Sequence, residues 1–333
     1  MKRFLIKLTC FLALQFAILA PLAYLGGQYQ ASRHYLCATQ DKLARLATAD
    51  GPRIIFIGGS NLAFGLDSSV VAKRTGYNPV NMGVHVSLGM LPQMRMVEKH
   101  LKPGDLIVLC PEYHLFNKNG MRSTEKIAGE LHDVWPGSRP FLQPDHDASL
   151  RSFGKPPLRL LADRIAHARK YFNNYLSESE PGLYERGSFN EFGDHVAHYG
   201  VAYHSDDRDI GGVSLDLGER NVREAIEVLN EFAARCETRG ASVVFAHVPI
   251  SSTDVARQPQ VMENFESILA AELQCPILTK LDQLIFEEDM FFDTEYHLTR
   301  TGVTKRTSVV CAGLVEYQKR VCNLDTGHRN LTR

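Results

Sequence analysis

The sequence predicts an α/β fold: a three-layer α/β/α sandwich around a parallel five-stranded sheet, with an apolar helix ahead of it. Three observations carry this. A short β-rich run at 53–57 and a fully apolar one at 106–110 have the composition of strands buried on both faces. Helical segments alternate with them along the chain. A basic and then long apolar stretch opens the sequence.

The opening stretch is read first. Met1-Lys2-Arg3 and Lys7 precede an apolar run over 8–25, which ends at Gly26-Gly27. Eighteen helical residues span roughly 27 Å, about the hydrocarbon thickness of a bilayer. The basic flank orients the N-terminus to the cytoplasm and the rest outside, so the expected location is the cytoplasmic (inner) membrane, single-pass, with an extracytoplasmic, periplasmic domain. A cleaved signal peptide is the rival reading, but the apolar run has no Ala-x-Ala triplet, Ala20 and Ala23 being one position too far apart, and it continues to Leu25, which favours an uncleaved anchor over 1–27. A polar juxtamembrane helix is expected over 28–50.

In the domain, strands are expected at 53–57, 79–83, 106–110, 242–248 and 276–278. Helices are expected at 68–74, capped by Asp67 or Ser68, and at 88–101, 220–239, 260–273 and 301–320. Gly240 stands where a helix stop is needed. These elements divide the domain into 51–115 and 216–325. The intervening 116–215 is rich in glycine, proline, histidine and acids, holds the single tryptophan, Trp135, and shows one amphipathic helix near 157–175. It reads as an insertion over the C-terminal edge of the sheet, with a surface excursion as the alternative.

Composition excludes some classes. The net charge of −1 gives no basic field for nucleic acid, and 44 % hydrophobic residues is ordinary for a globular chain. No Cys-x-x-Cys pair supports a zinc ribbon, and no cofactor or metal set is expected. Of seven cysteines, Cys10 lies in the apolar run; pairing of the other six cannot be read from sequence, although Cys110, ending an apolar strand, fits a buried thiol.

Residues 54–61 read I-I-F-I-G-G-S-N. Ser60 follows a buried strand at once, and the two glycines permit a sharp turn and close approach to a bound group. A serine there needs a base. Phe292-Asp293-Thr294-Glu295-Tyr296-His297 supplies an acid and a histidine on one loop before the last helix, which suits an acid that fixes the imidazole tautomer. Asp293 is the expected orienter of His297, with Glu295 in reserve. Leu62 stands where an α/β-hydrolase elbow needs glycine, and no Gly-x-Gly-x-x-Gly follows the first strand.

This combination resembles the SGNH (GDSL-like) hydrolase superfamily, whose fold is flavodoxin-like. Gly58-Gly59-Ser60-Asn61 matches its first block with Gly in place of Asp, and Asn81-Met82-Gly83 fits its second block. The resemblance implies catalytic Ser60, Asp293 and His297, and an oxyanion hole from the amides of Ser60 and Gly83, with Asn61 as a third donor. The chain departs from the family in two ways. Asp293-x-x-x-His297 is one residue longer than Asp-x-x-His. The Gly-x-Asn-Asp block is absent, and the third strand ends Cys110-Pro111-Glu112-Tyr113-His114. These departures resemble the membrane-anchored branch that works beside membrane-bound O-acyltransferases, including the alginate acetylation proteins and the D-alanyl lipoteichoic acid protein. That branch implies transfer or removal of an acyl group, typically acetyl, on an extracytoplasmic glycan or lipid-linked polymer. A catalytically degenerate domain, acting as a glycan-binding or scaffold subunit, is the alternative.

Further candidates are weaker. Glu112, Tyr113 and His114, and Asn190 and Asp194 of the insertion, are possible substrate contacts. The polar run holding Asp194, His195 and His198 is expected to be a solvated loop rather than a metal site. Asp206-Asp207-Arg208-Asp209 is expected at the surface. Arg122, Arg151, Arg159 and Arg186 are candidates for receiving an anionic polymer.

Overall fold

The computed structural model describes residues 1–116, 120–142, 154–177, 182–201, 215 and 217–331. Arg151 and the acidic run at 206–209 lie outside the described residues. In chain order the elements are helices α1 (Lys2–Arg33) and α2 (Ala38–Thr48), strand β1 (Arg53–Gly58), helices α3 (Ser60–Ala63) and α4 (Ser68–Thr75), strand β2 (Asn78–Asn81), helix α5 (Met90–His100) and strand β3 (Leu106–Cys110). Then come α6 (Glu125–Val134), α7 (Arg139–Leu142), α8 (Pro157–Ser177), α9 (Glu219–Glu237), β4 (Ser242–Phe245), β5 (Ile250–Ser251), α10 (Ser252–Arg257), α11 (Pro259–Glu272), β6 (Ile285–Phe286) and α12 (Arg300–Leu331).

Two compact units result. One holds Met1–Ala38 and Glu125–Ser188, the other Thr39–Thr124 and Phe189–Arg333. The segment expected as one insertion, 116–215, is therefore divided: its middle belongs with the N-terminal helix, its ends with the α/β unit.

The α/β unit is built on a parallel sheet of four strands in the order β2-β1-β3-β4. Every residue of β1 and β3 is buried, as the apolar runs after Arg53 in β1 and through β3 require. Ile54 pairs with Leu106 and Gly58 with Cys110, so the two strands end together. The expected fifth strand at 276–278 amounts to a single parallel bridge between Phe245 and Ile277. It stops there because β4 has itself ended: the His247 amide donates to Thr279 Oγ1 at 2.9 Å instead of continuing a ladder. Beyond it, β5 and β6 pair separately.

The chain leaves β1 toward β2 and returns past it to β3. With right-handed crossovers, α4 takes one face of the sheet and α5 and α9 the other, and α12 packs on α4. The reversal of direction puts the topological switch point at the C-terminal ends of β1 and β3, where α/β proteins place their sites. At the opposite end, buried Arg53 forks onto both oxygens of buried Asp105, with Arg53 Nε to Asp105 Oδ1 at 2.8 Å.

Local signals set the first crossover. Asp67 caps α4, its Oδ1 accepting from the Val70 amide at 3.3 Å, and Gly76 stops it at φ 74°. Asp67→Ala is expected to cost about 1 kcal/mol, measured as the shift in urea midpoint. The Asp67 carboxyl lies below its ordinary range: burial opposes this, but hydrogen bonds from Ser69 and Val70 and the nearby Arg300 outweigh it.

In the other unit, α1 carries a window long and apolar enough to cross a membrane, with none of it buried. α8 packs along α1, and Gly26 allows the contact: a Cβ there would lie 1.7 Å from the Arg164 carbonyl oxygen. No disulfide forms among the described residues; burial pushes the Cys110 thiol up to about 11.

Candidate active site

Ser60 opens the single turn α3 directly after β1. The Phe64 amide donates to the Ser60 carbonyl at 2.9 Å, and Leu62 to that of Gly59 at 3.2 Å. Gly59 has φ −86° and ψ −150°, a backbone open to any residue. Space makes it glycine: a Cβ would stand 2.6 Å from Glu112 Oε1 and 2.7 Å from Oε2. The carboxylate that ends β3 fills the place where a side chain at 59 would go. Gly83 is glycine for a similar reason, since a Cβ would meet the Gly59 carbonyl oxygen at 2.6 Å.

Glu112 is fully buried, and Asn61 ties it into the fold. Glu112 Oε1 accepts from the Asn61 amide at 2.8 Å and from Asn61 Nδ2 at 3.1 Å; Nδ2 also donates to the Cys110 carbonyl at 3.3 Å. From α12, buried Arg306 donates to the Asn61 carbonyl and, at 2.8 Å, to Asn61 Oδ1. Burial lowers the Arg306 pKa, and nearby Cys110 and Glu112 oppose that shift. An arginine and a glutamate thus meet in the core through an asparagine that bonds to both, although Glu112 Oε2 and Arg306 Nε have no hydrogen-bond partner among the described residues.

This geometry corrects several expectations. All N–H groups of Asn61 are engaged inside the protein, so it has none to offer an oxyanion. The Gly83 amide donates to Asn81 Oδ1 at 3.0 Å. Glu112 is a core strut, and Tyr113 is buried with its hydroxyl donating to the Val248 carbonyl at 3.0 Å. Neither faces a substrate. Of the three, only His114 is part-exposed; its Nε2 lies 3.6 Å from Glu112 Oε2, which accepts no hydrogen bond among the described residues.

The acid and the histidine do meet. His297 Nδ1 lies 2.7 Å from Asp293 Oδ1, while the imidazole is nearly buried and the carboxylate part-exposed. The extra residue between them is taken up by a closed loop. The Phe292 amide donates to the His297 carbonyl at 2.7 Å, Phe291 bridges Leu298, and Thr294 Oγ1 accepts from the His297 amide at 3.1 Å. With Nδ1–H given to Asp293, Nε2 carries the lone pair of a neutral ring. The His297 ring stacks on Phe64, centroids 3.9 Å apart and planes 7° from parallel. Phe64 is four residues after Ser60 in the same turn, so serine and histidine are anchored to one short piece of backbone. Among the described residues Ser60 Oγ makes no hydrogen bond.

The polar run at 189–198 is not a solvated loop: Asp194, His195 and His198 are buried. Asp194 accepts from the Ser68 amide (2.8 Å), Ser68 Oγ (2.7 Å), Asn81 Nδ2 (2.8 Å) and Asn190 Nδ2 (3.3 Å). It is a structural anchor, not a substrate contact, and Asn190 serves it. Buried Lys42 of α2 donates to the carbonyls of Asn81 (3.0 Å) and Gly193. Desolvation lowers the Lys42 pKa to about 7, and raises that of Asp194 against the hydrogen bonds it accepts.

The same segment braces the site. The His195 amide donates to the Ala63 carbonyl at 2.8 Å, and the His195 ring covers the second face of Phe64 at 3.9 Å. His195 Nδ1 lies 3.0 Å from His198 Nδ1, and His198 Nε2 lies 3.0 Å from the carbonyl of Leu298, next to His297. Phe64, His195 and His198 were outside the expected site; their spacing in sequence carried no signal of it.

Compared with known proteins, the chain matches no family model, and no curated protein is significantly similar to it.

Proposed function

We propose that the protein is a membrane-anchored, SGNH-like serine enzyme that transfers or hydrolyses an acyl group, typically acetyl, on an extracytoplasmic glycan or cell-envelope polymer. The observation that carries this reading is the Asp293–His297 pair, hydrogen-bonded at 2.7 Å and stacked on the turn that begins with Ser60. Both lie beyond the C-terminal ends of parallel strands, where a reacting group has access.

In this reading His297 Nε2 takes the Ser60 proton as Oγ attacks the acyl carbonyl. Asp293 holds the tautomer and stabilises the imidazolium. The Ser60 amide supports the oxyanion; the Gly83 amide joins it only by leaving Asn81 Oδ1. The leaving alcohol takes the proton back from His297. A sugar hydroxyl or water then attacks the acyl-serine, with His297 again as base, and Ser60 is restored. No cofactor enters the balance. A membrane-bound O-acyltransferase is the partner that the implied branch would supply, with α1 as the anchor and the domain on the periplasmic side.

A second reading, a degenerate scaffold or glycan-binding subunit, is favoured by one observation: Ser60 Oγ has no hydrogen bond while the Asn61 and Gly83 amides are already engaged. Treatment of the folded protein with a serine-reactive phosphonate separates the two. The enzyme reading expects one adduct, on Ser60, lost in Ser60→Ala and His297→Ala. An unlabelled Ser60 in folded protein supports the scaffold instead.

A further inference from the structure

We infer that the first turns of α8 meet an anionic lipid surface where α1 leaves the bilayer. This rests on reading α1 as a membrane span, and is independent of the chemistry at Ser60.

The two helices run in the same sense. Gly26 touches Arg164 and Ala168 of α8, while three residues later Tyr29 meets Tyr171 edge-on at 5.7 Å and accepts from Asn174 Nδ2. Residues of α8 before Arg164 therefore lie beside the last turns of the apolar run, where Ala20, Leu22 and Ala23 are half-buried. These first turns read Pro157-Leu158-Arg159-Leu160-Leu161, and Leu158 is 81 % exposed. Phe172 is also exposed, but about 21 Å further along the helix, past the apolar run.

The charge of α8 fits the same surface. From Lys155 to Ser177 there are five basic residues and one acid, and that acid, Asp163, is paired with Lys155 at 2.5 Å. Arg159, Arg169 and Lys170 are exposed. Exposed Leu158 beside exposed Arg159 suits the headgroup boundary, where apolar tips enter the acyl region and cationic heads meet phosphate. Exposed Tyr24 stands near that level on α1, as interfacial aromatics do.

The test uses the full chain in lipid nanodiscs with brominated acyl chains, with and without phosphatidylglycerol. Single tryptophans replace Leu158, Phe172 or Phe16 in a Trp135→Phe background. Leu158→Trp is expected to lose most of its emission, more in anionic discs, and Phe16→Trp in both, while Phe172→Trp keeps its emission; equal quenching of Phe172→Trp refutes the inference. Quenching of Phe16→Trp without Leu158→Trp overturns the inference and leaves the anchor standing; no quenching of Phe16→Trp removes both. The triple variant Arg159→Glu/Arg169→Glu/Lys170→Glu is expected to abolish the anionic preference, and an unchanged preference refutes the lipid contact. Amide exchange over 157–163 in the unsubstituted protein, several-fold slower in anionic discs, supports it without any substitution; equal rates refute it.

Discussion

Gly59→Asp is expected to destabilise the α/β unit by more than about 3 kcal/mol and to abolish phosphonate labelling of Ser60. Similarity of motif alone argues the reverse, because aspartate is the residue the SGNH pattern has there. The backbone tolerates it: φ −86° and ψ −150° suit any side chain. The obstacle is the Glu112 carboxylate, whose atoms stand 2.6 to 2.8 Å from the position of a Cβ. That carboxylate cannot swing aside without releasing the Asn61 amide and Nδ2, and with them the carbonyl and Oδ1 that Arg306 holds. Aspartate would also place a second buried negative charge beside one arginine, and like charges at that range cost several kcal/mol in a dry interior. Gly59→Ala brings the crowding without the charge and is expected to cost less. Gly59→Asp combined with Glu112→Ala is expected to recover much of the loss, since one carboxylate then serves Asn61. Urea midpoints for the parent, Gly59→Asp, Glu112→Ala and the double variant give the coupling. A Gly59→Asp protein within about 1 kcal/mol of the parent, or a double variant no better than the single, removes this account of the motif.

The same pair shows where sequence reading reached its limit. Strands β1 and β3 were legible because burial on both faces leaves an unbroken apolar run. Asp293 and His297 were legible as a pair despite the long spacing, since acid, histidine and last helix adjoin in sequence. Gly59 was read as an altered first block and Glu112 as an unrelated strand end. Their relation is a contact between segments more than fifty positions apart, and neither segment alone encodes it. Arg306 sat unnoticed on α12, because a buried arginine on a helix looks like a surface one until its partner is known. The run at 189–198 misled through composition. Asparagine, aspartate and histidine suggest solvent, yet here they satisfy one another and the backbone around Ser68 and Ala63, which is how polar residues become a core. The edge at 276–278 has strand composition, but the chain diverges at His247, and composition does not report where a ladder stops.

Acid should weaken this protein through His198, and its substitution should flatten the dependence. His198 is buried, and desolvation first, then the neighbouring His195, lowers its pKa to about 3. The groups around it include His195 on its own segment, and Asp293, His297 and the Leu298 carbonyl on the loop packed against it. An unfolded histidine takes up a proton near pH 6.5, while the folded one resists to about pH 3. Between those values the unfolded state binds more protons, so stability rises with pH and is lost as pH falls, by up to about 1.4 kcal/mol per unit and on the order of 4 kcal/mol at the lower end. Above pH 6.5 the contribution is constant. The geometry explains the resistance. His198 Nε2–H donates to the Leu298 carbonyl, so its Nδ1 must accept from His195 Nδ1 at 3.0 Å. A proton on His198 Nδ1 would set two N–H groups against each other and loosen the backbone next to His297. His198→Gln can keep both contacts, with its amide N–H for Leu298 and its carbonyl oxygen for His195, but it cannot titrate. Urea unfolding of the detergent-solubilised protein across pH 3 to 7 should therefore give a shallower slope for His198→Gln than for the parent, with the two converging in shape above pH 6.5. Parallel curves through the acid range would place the acid sensitivity elsewhere and leave the His195–His198 contact as packing alone.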